Sequence, residues 1–152
     1  MLRNGRIFLI LAGSMSSLIA FLHGAIILIG EPAYRFFPGL GDALADMLIA
    51  GSIVPTVIVV VITGFFLVYA LYAFSGARIL PALPLLRLGL CTITAIYVLR
   101  GLSNIPYYLN IFLGGKKLEP GNAVLYDSIS LGIGLLYWIG TRMEWESLKT
   151  KT

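Results

Sequence analysis

The chain is poor in charge. Asp, Glu, Lys and Arg make up 12% of its 152 residues, about half the share of a typical soluble domain. Apolar residues make up 59%, and mean hydropathy is +0.93. An ordinary water-soluble globule and an intrinsically disordered chain are both excluded. Cysteine is nearly absent. Cys91 stands alone, so neither a disulfide framework nor a thiol–disulfide relay fits within one chain. Its apolar neighbourhood predicts an inert, buried thiol. Histidine is equally scarce, with His23 the single one. A bis-histidine haem and a two-histidine zinc site are excluded within one chain, and no metal or cofactor is expected. Glycine-rich phosphate loops and the nucleophile elbow are missing too. The basic excess is 11 Lys and Arg against 7 Asp and Glu. In so apolar a chain it reads as membrane topology rather than as nucleic-acid binding.

What the chain does have is long apolar runs, in a single transmembrane domain over 1–152. Crossing ~30 Å of hydrocarbon takes about 20 mostly apolar residues. Residues 7–29, 53–74, 85–105 and 123–139 meet or approach that length, the last being the shortest. Backbone polar groups in lipid must bond within their own element, and these runs do not alternate, so they are helices. The punctuation agrees. Pro32 follows the first run, Pro55 sits in the first turn of the second and Ser75-Gly76 closes it. Pro84 stands at the start of the third, and Pro106 ends or kinks it. Asn122 is placed to cap the fourth. The first run follows Arg3 and Arg6 as a signal peptide would, but at 23 residues it is too long and reads as an uncleaved span.

Two connecting segments carry structure of their own. Residues 42–50 (DALADMLIA) predict a short interfacial helix broken at Gly51-Ser52. Residues 107–113 (YYLNIFL) bring Tyr107, Tyr108 and Phe112 to the headgroup layer, as Phe36 and Phe37 do in the first loop. Glu31 and Arg35 are four apart, a surface pair or lid, although Pro32 argues against a regular helix through them. With the N-terminus inside, Arg3, Arg6, Arg78, Arg87, Arg142, Lys149 and Lys151 lie on the cytoplasmic side. Arg35, Lys116 and Lys117 lie outside. That asymmetry places both termini in the cytoplasm.

Small residues tell how the spans pack, because helices in lipid associate by close backbone approach. Gly13, Ser16, Ser17, Ala20 and Gly24 line the first span. Ser130 and Gly134, and Ser128 and Gly132, line the fourth. The first and fourth spans are therefore expected to touch. The fold expected is an all-α, integral membrane, up-down four-helix bundle with short interfacial helices in its outer loops.

Three ionisable residues fall inside the spans, where charge is costly and points to an interior or a cavity. His23 lies ~9 Å below the outer end of the first span, Arg100 ~7–8 Å below that of the third and Asp127 ~6 Å below that of the fourth. All three share one level. Tyr97 and Asn104 share a helix face with Arg100, and Tyr126 adjoins Asp127. The pattern predicts an outer-leaflet polar pocket with an Arg100–Asp127 ion pair, lined by His23, Tyr97, Asn104 and Tyr126. A competing reading has the pair fix helix register, or has Arg100 snorkel to phosphates.

The stretch HGAIILIGEPAYRFFPG, with LLRLGL and IYVLRGL, resembles a group of uncharacterised small bacterial inner-membrane proteins with four predicted spans. The resemblance implies a bacterial inner-membrane protein and no particular activity. The reading that follows is a non-enzymatic accessory or binding module. It engages a lipid headgroup, an amphiphile or a membrane partner from the periplasmic side, with Arg100 meeting the anionic group and Asp127 holding it. A small proton-coupled transporter, working as a homo-oligomer through His23 or Asp127, is the alternative. A membrane enzyme ranks third, since no nucleophile–base pair is present.

Overall fold

A computed structural model describes residues 4–36, 40–103, 105–114 and 123–149. In chain order the helices are α1 (Asn4–Ile29), α2 (Glu31–Arg35), α3 (Leu40–Ile49), α4 (Val54–Gly76), α5 (Leu86–Leu102), α6 (Ile105–Phe112) and α7 (Ala123–Met143). A 3₁₀ turn follows at Trp145–Leu148. No strand occurs among the described residues. Three helices are long and apolar enough to cross a membrane: Asn4–Ile29, Val54–Gly76 and Val124–Met143.

The third expected span is shorter than its sequence suggested. α5 has 17 residues, a rise of roughly 25 Å. It ends at Leu102, the chain turns through Ser103, and α6 restarts with Pro106 in its first turn, where a missing N–H is no loss. At the other end Pro84 lies in the turn before α5, and Leu85 takes a left-handed conformation with φ of 53°. The helix at the fourth expected span, by contrast, runs on past residue 139 to Met143. Helix α3 forms where DALADMLIA predicts it, starting at Leu40 and ending before Gly51, whose φ is +80°. The expectation against a helix at Glu31–Arg35 is corrected. Pro32 falls in the first turn of α2, where its ring is tolerated, and Arg35 forms the i,i+4 pair with Glu31. Asn122, Lys116, Lys117 and Phe37 lie outside the described residues, as do the side chains of Tyr107 and Tyr108.

α1 packs against α4 and α7, and α5 packs against α7 and α4. Neighbouring helices run antiparallel. Along α5 and α7, Arg87 meets Trp145, Tyr97 and Val98 meet Gly134, and Gly101 meets Leu131. The core follows helical spacing. Leu9, Ala12, Ser16 and Ala20 of α1 are buried, as are Leu86, Leu90, Ile93 and Tyr97 of α5. Glycine allows the closest approaches. A Cβ at Gly101 would stand 2.7 Å from the Leu131 backbone nitrogen, and one at Gly140 would stand 2.7 Å from Leu9 Cγ.

The small-residue stripes meet expectation only in part. α1 and α7 do touch, through Ser16 of the stripe, which lies against Tyr137, and also through Gly5, Leu9 and Gly140. Gly13 faces Ala73 and Phe74 of α4, Gly134 faces α5, and Gly24 and Gly132 meet nothing. A second cluster of Ile26, Tyr34, Leu44, Ala45 and Val59 joins α1 through α4 at one end. Above it Arg35 bridges Glu31, Asp46 (2.8 Å) and Asp42 (3.8 Å). These bonds, chiefly those to Glu31 and then Asp46, raise the Arg35 pKa above its ordinary value.

Candidate functional site

Arg100 occupies the last turn of α5, and Asp127 the first turns of α7. Because the two helices are antiparallel, these positions meet. Arg100 Nη1 donates to Asp127 Oδ1 and also to Ser103 Oγ at 3.1 Å. Ser103 Oγ in turn donates to the Arg100 carbonyl at 2.8 Å. The pair is asymmetric: the Asp127 side chain is 5% exposed and that of Arg100 is 49% exposed. The buried carboxylate fixes one edge of the guanidinium. Nε and Nη2 make no hydrogen bond among the described residues; a guanidinium binds anions through such paired N–H groups.

The remaining candidates divide. His23 lies at the same end of the molecule on α1. Its Nδ1 is 2.9 Å from the Ile19 carbonyl, and its ring lies 5.1 Å from that of Phe66 on α4. Tyr126 is half-buried beside Asp127. Asn104 lies outside the described residues. Tyr97 departs from the expected lining. It is 3% exposed and drawn into the core, where its hydroxyl lies 3.0 Å from Ser16 Oγ.

Tyr97 belongs to a hydrogen-bonded network that the sequence did not announce. Ser16 Oγ is also 3.0 Å from Tyr137 Oη, and Tyr137 Oη donates to the Tyr69 carbonyl at 2.8 Å. Each hydroxyl carries one proton, so the directions are determined. Tyr137 spends its proton on the carbonyl and must accept from Ser16. Ser16 must then accept from Tyr97. The chain therefore runs Tyr97 to Ser16 to Tyr137 to the Tyr69 carbonyl, and it joins α1, α4, α5 and α7. The Tyr97 and Tyr137 rings stack at 5.6 Å, and Tyr69 meets Tyr97 edge-on at 5.8 Å. The usable signal was chemical: a tyrosine inside an apolar span needs a partner for its hydroxyl, and Ser16 of the small-residue stripe could supply one.

Cys91 corrects a further expectation. Its thiol is exposed rather than buried, because it lies on the outward face of α5, between the inward-facing Leu90 and Ile93. Among the described residues no group of His, Cys, Asp and Glu is placed to hold a metal ion. Compared with known families, characterised proteins and solved structures, the chain matches none.

Proposed function

We propose that the protein is a four-span, up-down bundle of the bacterial inner membrane, with both termini cytoplasmic, acting as a non-enzymatic binding module for an anionic lipid headgroup. Several features support the placement. The three apolar helices and the antiparallel α5 fit four passes, and large apolar side chains such as Phe21, Val61, Phe65, Leu99 and Leu135 cover the outside. The basic excess near the terminal end supports the orientation.

The observation that carries the function is the half-exposed Arg100 guanidinium held by buried Asp127. An arginine kept only for helix register would be expected to place both partners inside. Here the acid is hidden and the base faces out at the end of α5, the level to which the four-span reading assigns lipid phosphates. Asp127 and Ser103 hold the fork in one orientation, which lowers the entropy lost on binding.

The test is native mass spectrometry of the delipidated protein titrated with phosphatidylglycerol. One charge near the surface is worth about 1 kcal/mol, or roughly fivefold in affinity. Arg100→Gln should lose that factor for the tightest-bound lipid. Arg100→Lys, which keeps the charge without the fork, should fall between. Equal titrations for all three proteins would refute the reading.

A further inference from the structure

A second polar feature lies along the same helix pair, at the end of the molecule where α1 begins and α7 ends. A groove of about 460 Å³ runs between α5 and α7, lined in part by Ala95, Val98, Trp138, Thr141, Arg142 and Trp145. Its volume lies within the range of small-molecule sites. The antiparallel register orders the lining. Val98, Ala95 and Trp138 form an apolar stretch toward the middle of the helices. Thr141, Arg142 and Trp145 form a polar stretch toward the end.

Two observations point to a ligand at the polar stretch. Arg142, in the last turn of α7, is exposed and has no salt-bridge partner among the described residues. Thr141 is 5% exposed, and its hydroxyl has no hydrogen-bond partner among the described residues. Thr63, Thr94, Ser17 and Ser128 each donate to the carbonyl four residues earlier in their helix. Thr141 makes no such bond, so the buried hydroxyl of a groove-lining residue is left without an acceptor among the described residues, an arrangement that proteins seldom tolerate. Arg87, the cation that contacts Trp145 of the groove wall, is committed. Its Nε and Nη2 donate to the Trp145 carbonyl at 3.1 and 2.5 Å, and its guanidinium lies 4.4 Å from the centre of the Trp145 ring. That clamp fixes one wall of the groove.

We infer that this groove holds an acidic phospholipid of the leaflet on the terminal side. One acyl chain lies along Val98, Ala95 and Trp138, and the phosphate meets Arg142 and the Thr141 hydroxyl. The charge of Arg142, the missing acceptor at Thr141, the paired tryptophans and the outward opening between two spans select a lipid over a soluble anion. The site differs from the one at Arg100, which lies at the opposite end of α5.

The chain has two tryptophans, Trp138 and Trp145, and both line the groove, so intrinsic fluorescence reports on this place. The protein is placed in nanodiscs of phosphatidylcholine, and either phosphatidylglycerol or phosphatidylcholine with brominated acyl chains is added as quencher. The expected result is preferential quenching by the acidic lipid, by about fivefold in relative affinity. Arg142→Gln should remove that preference, and Thr141→Val should reduce it, whereas Arg100→Gln should leave it unchanged. Circular dichroism and thermal midpoints of each variant establish folding. Equal quenching by the two lipids in the wild type would overturn the inference. So would quenching by neither lipid together with efficient disulfide cross-linking through Cys91, which also lines the groove, because that would place a second copy of the chain there.

Discussion

Replacing Ser16 by Ala removes one oxygen, leaves the volume nearly unchanged and cuts the network in the middle. Tyr97 then has no acceptor for its proton, while Tyr137 keeps its bond to the Tyr69 carbonyl and loses a donor. Two interhelical hydrogen bonds disappear. Measured values for such bonds within a membrane average about 0.6 kcal/mol and reach ~1.7, so the expected loss is about 1–3 kcal/mol. The larger penalties of a buried hydroxyl stranded in a soluble core do not apply, because an unfolded span in lipid also finds partners. Reversible unfolding in mixed micelles of a mild detergent and dodecyl sulfate measures the loss. Ser17→Ala is the control. Its hydroxyl bonds the Gly13 carbonyl of its own helix at 2.9 Å, and the change should cost well under ~0.5 kcal/mol. Removing the stranded phenol as well, in Ser16→Ala with Tyr97→Phe, should cost less than the sum of the two single changes, with a coupling of at least about 0.5 kcal/mol. Strict additivity, or equal effects of Ser16→Ala and Ser17→Ala, would refute the network.

Glycine substitutions should separate by location in the same unfolding assay. Gly101→Ala puts a methyl against the Leu131 backbone and should destabilise by about 1–3 kcal/mol, whereas Gly24→Ala meets nothing and should be neutral or stabilising by up to ~1 kcal/mol. Arg87→Ala should release the Trp145 turn, seen as faster hydrogen exchange at Ser147 and Leu148, and Arg87→Lys should rescue it only in part because the fork is lost. Glu146 titrates below its ordinary value of 4.5, first because it accepts a hydrogen bond from Lys149 and then through that charge. A depressed carboxylate favours the folded state above its unfolded pKa, and that contribution fades as pH falls through the depressed value. Carbon-detected NMR of the Glu146 carboxyl should show the low midpoint, and Lys149→Ala should raise it.

Much of the helical frame was legible because bilayer length and hydrophobic runs are one-dimensional properties. Pro55, Ser75-Gly76 and Gly51 mark ends in the sequence and mark them in the structure as well. The meeting of Arg100 and Asp127 was legible from depth alone, since two charges at one level on neighbouring antiparallel helices come together. Rotation about each helix axis was much less legible. Tyr97 and Arg100 are three residues apart and share a broad face, yet one turns into the core and the other out to the rim. Gly13 and Gly134 belong to stripes that sequence spacing assigned to the α1–α7 contact, while each packs on a different neighbour. Cys91 is exposed for the same reason: apolar sequence neighbours do not say which face of a helix a residue occupies. Pro32 misled because the rule against proline holds for helix interiors and not for a first turn.

The central claim is that Arg100, anchored by Asp127, faces a phosphate. Solid-state NMR can measure it in bilayers containing phosphatidylglycerol, by carbon–phosphorus dipolar dephasing on protein labelled at arginine Cζ, with Arg100→Lys used to assign the signal. A guanidinium bonded to a phosphate places Cζ about 4–5 Å from phosphorus, and strong dephasing of the Arg100 signal is the expected result. An Arg100 signal that persists undephased, while other arginines in the same sample lose theirs to phosphorus, would contradict the claim and leave the Arg100–Asp127 pair a fastener between α5 and α7.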